Sequence, residues 1–161
     1  RSANLPNPVT PQLVIQKART FLRTPWKHQA RCKGVAVDCI GLLVGAFCEA
    51  GAQIDDVIDY GRNPNPRRFL GHLSEYFVRV SDPEFPDKLE HDVVSLSSIV
   101  PGDVLVFSFV GRDLPQHVGI STGSSFIHTY ESAGCVAEHA LGLEWQRHLH
   151  SVWRLKAWQR S

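Results

Sequence analysis

The sequence of 161 residues contains no methionine, no membrane-length apolar run and no basic stripe. A membrane-spanning helix needs roughly 18 to 20 predominantly apolar residues. The most apolar stretch, residues 39–50, is shorter than this and is interrupted by Glu49, so we expect no membrane span. The net charge is +1 and the basic residues are scattered, which disfavours nucleic acid as a partner. Because the chain lacks methionine and begins at Arg1, we interpret it as something other than a raw translation start.

The spacing of cysteine and histidine disfavours the common metal sites. The chain has four cysteines and eight histidines, but it contains no C-x-x-C pair and no H-E-x-x-H segment. We therefore expect no metal site. The cysteines are also too few and too scattered for a dense disulfide framework. One of them is a candidate for special chemistry, and the others are candidates for small core positions: Cys32, Cys39, Cys48 and Cys135.

The order of helical and extended patterns predicts one α+β domain. Residues 1–9 are rich in Pro and Asn and are interpreted as a flexible arm, with a single domain over residues 10–161. Apolar residues recur at helical spacing over residues 10–24, 38–50 and 67–80. Helices first and strands second predict N-terminal helices packed on a C-terminal antiparallel sheet. Five β-rich segments are expected to form this sheet as a meander: residues 103–110, 117–122, 125–131, 134–139 and 152–158.

Cys39 stands at the start of the second predicted helix, directly after Asp38. A thiol at a helix N-terminus lies in the positive field of the helix, which lowers its pKa and favours the nucleophilic thiolate. Backbone N–H groups at the same helix end can hold the oxyanion of a tetrahedral intermediate. The same position also suits a small apolar core residue. Position alone therefore leaves two interpretations of Cys39 open.

Two histidines lie on successive predicted strands after this helix. His117 heads one strand and His128 lies on the next. A cysteine nucleophile needs a base within hydrogen-bonding reach, and neighbouring antiparallel strands would place His128 where it orients the His117 ring. Each histidine taken singly also suits a structural role. The combination with Cys39, in helix-then-strands order, favours catalysis.

These residues belong to an ordered set of short motifs that resembles the NlpC-type papain-like cell-wall peptidases. Their order and rough spacing cover the chain from about residue 10 to residue 155. Residues 24–34 are most similar to the phage-tail and gene-transfer-particle branch of that family. The matching segments are Thr24-Pro25-Trp26, Asp38-Cys39-Ile40-Gly41-Leu42, Val100-Pro101-Gly102-Asp103-Val104-Leu105-Val106-Phe107, His117-Val118-Gly119-Ile120 and Phe126-Ile127-His128.

The resemblance implies an α+β papain-like fold, no cofactor, and a catalytic triad of Cys39, His117 and His128. It implies cleavage of an amide bond in peptidoglycan stem peptides, between the γ-carboxyl of D-glutamate and diaminopimelate or lysine. The expected site of action is the cell wall, whether the chain is secreted, periplasmic or virion-associated. Phage-tail or secretion-apparatus proteins are the expected protein partners.

Three residues near the cysteine are assigned to substrate binding. The resemblance makes Asp38 a candidate for the substrate's free amine and Trp26 a candidate for the pocket wall. Asp38 equally suits helix capping, and Trp26 equally suits the core. His28 either contacts substrate or ties down its loop by hydrogen bonding. Ile40 departs from the family, because many relatives carry a Ser there that helps to bind the substrate terminus.

Two other functions fit the same residues. One is a structural component of a phage tail or secretion apparatus that keeps the fold for assembly. An intact set of Cys39, His117 and His128 argues against it, because an inactive scaffold needs none of them. The other is a toxin-like effector that uses the same chemistry on the wall of a rival cell.

Overall fold

The computed structural model describes residues 7–57, 61, 65–80, 96–109 and 115–159. Residues 1–6 of the predicted flexible arm lie outside the described residues, as does residue 110 of the first predicted core strand. The elements are α1 (Pro11–Arg19), β1 (Arg31–Cys32), β2 (Ala36–Val37), α2 (Cys39–Glu49), α3 (Pro66–Tyr76), β3 (Phe77–Arg79), β4 (Val104–Phe107), β5 (His117–Ser121), β6 (Ser125–His128), β7 (Ala137–Ala140), α4 (Leu143–His148) and β8 (Leu149–Leu155).

The main sheet is antiparallel and has six strands in the order β3-β8-β4-β5-β6-β7. Strands β4 to β7 form the expected meander, but β8 does not continue it beyond β7. It pairs instead with β4, through Leu105 opposite Val152, and with β3, through Phe77 opposite Leu155. The expectation of an uninterrupted meander was therefore wrong at its last strand. The helix α4 separates β7 from β8 and lets the chain return to the centre of the sheet.

Local capping explains where the helices begin. Thr10 precedes α1 and its hydroxyl accepts a hydrogen bond from the Leu13 N–H at 3.1 Å, with Pro11 in the first helical position. The helix ends at Arg19, earlier than predicted, because the chain turns and the Arg23 N–H donates to the Val136 carbonyl at 2.9 Å. Tertiary contacts therefore shorten this helix.

The third helix is also shorter than its apolar spacing predicts. It begins at Pro66 after the capping residue Asn65 and ends at Tyr76. The following residues, Phe77–Arg79, leave the helix and pair with β8. Cross-strand hydrogen bonds available only in the folded chain outweigh the helical pattern here.

Two apolar clusters hold the sheet, one on each face. Residues of β4 alternate between them, with Val104 and Val106 toward the helices and Leu105 and Phe107 toward the opposite face. The larger cluster joins the sheet to α1 and α2, and its buried members include Val14, Ala18, Leu42, Ala46, Phe47, Val118 and Ile120. The smaller cluster is covered by Trp145 of α4, and its other buried members are Phe126 and Val152. The α+β arrangement of helices on an antiparallel sheet is confirmed. In the described part of the chain, no helix has the length and apolar character needed to cross a membrane.

Candidate active site

Asp38 determines where α2 begins, and therefore where Cys39 stands. It has an extended backbone conformation, and its side chain accepts a hydrogen bond from the Gly41 N–H at 2.9 Å. The other carboxylate oxygen accepts from the Gln29 N–H at 2.8 Å, and Arg31 Nη1 lies 2.9 Å from the carboxylate. Asp38 is 4% exposed. Its side chain thus caps α2 and ties the preceding loop to the helix start.

Gly41 allows that loop to lie directly against the first turn of α2. A Cβ atom at this position would lie 2.5 Å from the carbonyl oxygen of Ala30, which is fixed backbone. Arg31 then extends the connection, because its Nε donates to Asp56 at 3.0 Å and its Nη2 to the Val57 carbonyl at 2.9 Å. The loop before Cys39 and the segment after α2 are therefore joined around one guanidinium group.

The Cys39 thiol is half-buried, and its pKa is raised from 9.0 to about 12. Burial of the sulfur is the largest cause, because it disfavours the thiolate, and the Asp38 carboxylate adds to the effect. Backbone N–H groups of Val118 and Ile40 donate to the sulfur and act in the opposite direction, as does the Arg31 charge. The expected lowering of the thiol pKa by the helix end was therefore wrong for the resting site. The thiol is protonated and needs a base to become a nucleophile.

The other cysteines are not part of this site. Cys32 lies on the short hairpin strand β1 and Cys48 in the last turn of α2, and both are exposed, free thiols. Their expected core positions were wrong, because both stand on outward-facing surfaces of their elements. Cys135 is half-buried and its thiol is also free.

His117 and His128 are hydrogen-bonded to each other, as their positions on successive strands predict. His117 Nε2 lies 2.9 Å from His128 Nδ1, and the two residues are 3% and 0% exposed. Gly119 stands directly opposite His128 in the β5–β6 pair. A Cβ atom on Gly119 would lie 2.9 Å from the Phe126 ring and 3.2 Å from the His128 Cβ. The bare backbone at Gly119 therefore lets the two imidazoles meet diagonally across the strands.

A third imidazole, that of His139, extends this hydrogen-bonded pair. His128 Nε2 lies 2.9 Å from Nδ1 of His139, which is on β7 and exposed. The three histidines stand on β5, β6 and β7, each eleven residues after the one before. They form a line rather than a cluster, and within the described residues no group of three or more His, Cys, Asp or Glu side chains could hold a metal ion.

Burial keeps the two inner imidazoles neutral. It lowers the pKa of His117 from 6.5 to about 3 and, together with the adjacent His117 and His139, the pKa of His128 to about 2. Aromatic rings surround the pair. The Tyr130 ring stacks on His128 with centroids 5.2 Å apart, and Trp145 packs edge-on at 4.8 Å. These rings exclude water from the imidazoles and hold their orientation.

A cleft of about 500 Å³ passes over this site. Cys39 and His117 both line it, and His128 lies behind His117. The predicted binding residues Asp38, Trp26 and His28 also border the cleft, so the structure brings them to the same cleft as Cys39. The sulfur itself accepts a hydrogen bond from the amide that follows His117 in the chain, which places the thiol at the head of β5.

Sequence reasoning missed several residues of this cleft. The helix α3 supplies its far wall through Arg68, Phe69 and His72, whereas the sequence indicated only an amphipathic helix there. Thr129 also lines the cleft, and its buried Oγ1 has no hydrogen-bond partner among the described residues. Sequence reasoning also missed His139, which lies on β7 against His128. The equal spacing of three histidines along successive strands was the signal that identifies it.

Most of this chain is similar to known proteins. The model of the NlpC/P60 family matches residues 23–154. The tail tip assembly protein K of Escherichia phage lambda is 35% identical over 127 residues, which cover 77% of this chain and 56% of that protein. The chain thus spans little more than half the length of this relative.

Solved structures share the fold at low sequence identity. An NlpC/P60 family protein from Bacillus cereus superposes with a TM-score of 0.65 at 20% identity, covering 93% of this chain and 41% of that one. The NlpC/p60 domain of the peptidoglycan hydrolase SagA gives 0.60 at 15% identity, covering 91% and 100%. The fold is the papain-like fold of these NlpC/P60 structures. The chain belongs to the NlpC/P60 family, which confirms the resemblance, and the phage relative supports the phage-tail branch.

Proposed function

We propose that this chain is a cysteine hydrolase that cleaves an amide bond in peptidoglycan stem peptides. Cys39 is the nucleophile, His117 the base, and His128 the residue that orients His117. The observation that carries the proposal is the placement of Cys39 and His117 on one cleft, with the His128 ring 2.9 Å behind His117. The family match over residues 23–154 supports the same reaction class.

The proposed mechanism begins from a neutral thiol and a neutral imidazole. When His117 Nε2–H donates to His128 Nδ1, the other ring nitrogen, Nδ1, is left as the proton acceptor. His117 Nδ1 takes the thiol proton of Cys39 as the sulfur attacks the amide carbonyl carbon. The oxyanion that forms is stabilised by backbone N–H groups at the start of α2.

The intermediate then collapses with cleavage of the C–N bond. The His117 imidazolium gives its proton to the departing amine, and a thioester with Cys39 remains. Water, deprotonated by His117, attacks the thioester carbonyl and releases the acid and the free thiol. Each step moves one proton through His117, so the reaction needs no cofactor.

We infer that the cleaved bond joins the γ-carboxyl of D-glutamate to diaminopimelate or lysine. Trp26 and His28 border the cleft beside Cys39 and are suited to bind the peptide there. Asp38 borders it too and is the candidate for a free substrate amine, but Arg31 already pairs with its carboxylate. We therefore expect a weak preference for a free amine, in line with Ile40 standing where relatives carry Ser.

The phage relative bears on the biological setting. Because the matching protein is named a tail tip assembly protein, we propose that the chain acts at a phage-type tail and opens the wall there. The same observation favours a second candidate, a structural role in tail assembly without catalysis. A toxin-like effector would carry the same chemistry to the wall of a rival cell.

The test is mass spectrometry of purified peptidoglycan fragments after incubation with wild type, Cys39→Ala and Cys32→Ala. Cys32 is an exposed thiol outside the cleft, so its variant controls for the loss of a cysteine. We expect a new product with wild type and Cys32→Ala and none with Cys39→Ala, and the product mass identifies the bond. A folded wild type that cuts no wall chemotype would contradict the proposal and favour the structural role.

A further inference from the structure

His139 extends the buried His117–His128 pair to the protein surface. His117 and His128 are buried, whereas His139 is exposed on β7. Both contacts in this line of imidazoles measure 2.9 Å between ring nitrogens. Hydrogen bonds of this length between rings require one donor and one acceptor at each contact. The protonation of the outer ring therefore constrains the two inner rings.

The constraint has a definite direction. If Nδ1 of His139 accepts, His128 must carry its proton on Nε2, and its Nδ1 must accept from His117 Nε2–H. This leaves Nδ1 of His117 unprotonated, as a base requires. If the side chain at position 139 can only donate, His128 Nε2 must accept and His128 Nδ1 carries the proton. His128 Nδ1–H then donates to His117 Nε2, and His117 carries its proton on Nδ1. His117 in that tautomer cannot take the proton of the Cys39 thiol.

We propose that His139 is a positioning residue that sets the tautomer of His117 through His128. This proposal rests on the proposed function, in which His117 is the base, and adds a residue outside the triad. His139 does not line the cleft and acts through hydrogen bonds alone.

The surroundings of the line favour this role. Burial keeps both inner rings neutral, so each has one donor and one acceptor nitrogen. Tyr130 and Trp145 pack against the His128 ring and limit its rotation. The charged residue next to His139 in the chain, Glu138, is engaged with Arg19 at 2.9 Å. His139 therefore supplies the polar contact to His128 Nε2.

The test compares three variants of His139 that differ in their hydrogen-bonding capacity. In His139→Gln the amide oxygen still accepts from His128, whereas in His139→Lys the ammonium only donates. We expect His139→Gln to stay within about threefold of wild-type kcat and His139→Lys to lose about tenfold or more, with KM little changed. His139→Glu introduces a charged side chain that only accepts, and it should retain activity. This result would show that the loss in His139→Lys comes from its donor character and not from a change of charge. Equal kcat for His139→Lys and His139→Gln would overturn the proposal.

Nitrogen chemical shifts of the imidazoles give a readout independent of wall cleavage. Long-range ¹H–¹⁵N spectra at about pH 8, where an ordinary imidazole is neutral, distinguish the two tautomers. We expect Nε2–H for His117 and His128 in wild type and His139→Gln, and Nδ1–H for both in His139→Lys. Unchanged tautomers in His139→Lys would overturn the proposal. A wild type with the expected tautomers but no hydrolysis would count against the proposed function alone, so the two failures are distinguishable.

Discussion

Mild acid should destabilise this protein because its two inner histidines are buried in neutral form. In the folded chain the pKa of His117 is about 3 and that of His128 about 2, whereas both return to about 6.5 on unfolding. Below pH 6.5 the unfolded chain therefore binds two protons that the folded chain does not. Stability is fully present above pH 6.5 and falls as the pH is lowered through this window.

The magnitude follows from linkage. Well below pH 6.5 each group contributes about 1.4 kcal/mol per pH unit, so the two groups together give about 3 kcal/mol per unit. Between pH 6.5 and pH 5 the free energy of unfolding should fall by about 3 kcal/mol, a large share of the roughly 5 to 15 kcal/mol typical of a domain.

The assay is urea unfolding followed by tryptophan fluorescence at several pH values from 7 to 5. His128→Gln removes one titrating group, so its slope should be about half that of wild type. A wild-type slope below about 1 kcal/mol per pH unit, or an unchanged slope in His128→Gln, would refute the reasoning.

Three further predictions concern the site. Because burial raises the pKa of Cys39 from 9.0 to about 12, kcat/KM should stay level as the pH rises from neutral to above 9.0. A rise or fall centred near pH 9.0 would contradict a protonated resting thiol. Gly119→Ala should lower the free energy of unfolding by about 1 to 3 kcal/mol and reduce kcat, because the added methyl group would press on Phe126 and His128. Gly71→Ala is the control, since its added methyl group would meet open space, and it should do neither. Urea unfolding and product assays measure both effects, and equal effects of the two substitutions would refute the prediction. Thr129→Val removes a buried hydroxyl that has no hydrogen-bond partner among the described residues, so the free energy of unfolding should rise by about 1 kcal/mol. Because Thr129 also lines the cleft, the same substitution should raise KM, and an unchanged KM would exclude a substrate contact.

The helix starts and the order of elements were predictable from the sequence. Thr10-Pro11 and Asp38 are local capping signals that act within a few residues, and the structure places helix starts directly after Thr10 and Asp38. The strand segments were predictable because alternation and turn residues are also local. The motif order identified the family, and with it the fold.

Tertiary structure alone decided the position of β8, the end of α3 and the ionisation of the site. Pairing of β8 with β3 and β4 depends on contacts between residues far apart in the chain, which local patterns do not contain. The thiol pKa of Cys39 depends on how completely water is removed from the sulfur, and burial outweighs the helix end there. His139 became part of the site only because strand register carries it to His128. Residue types and spacing thus determined which chemistry is available, whereas register and burial decided which atoms meet and which of them carry protons.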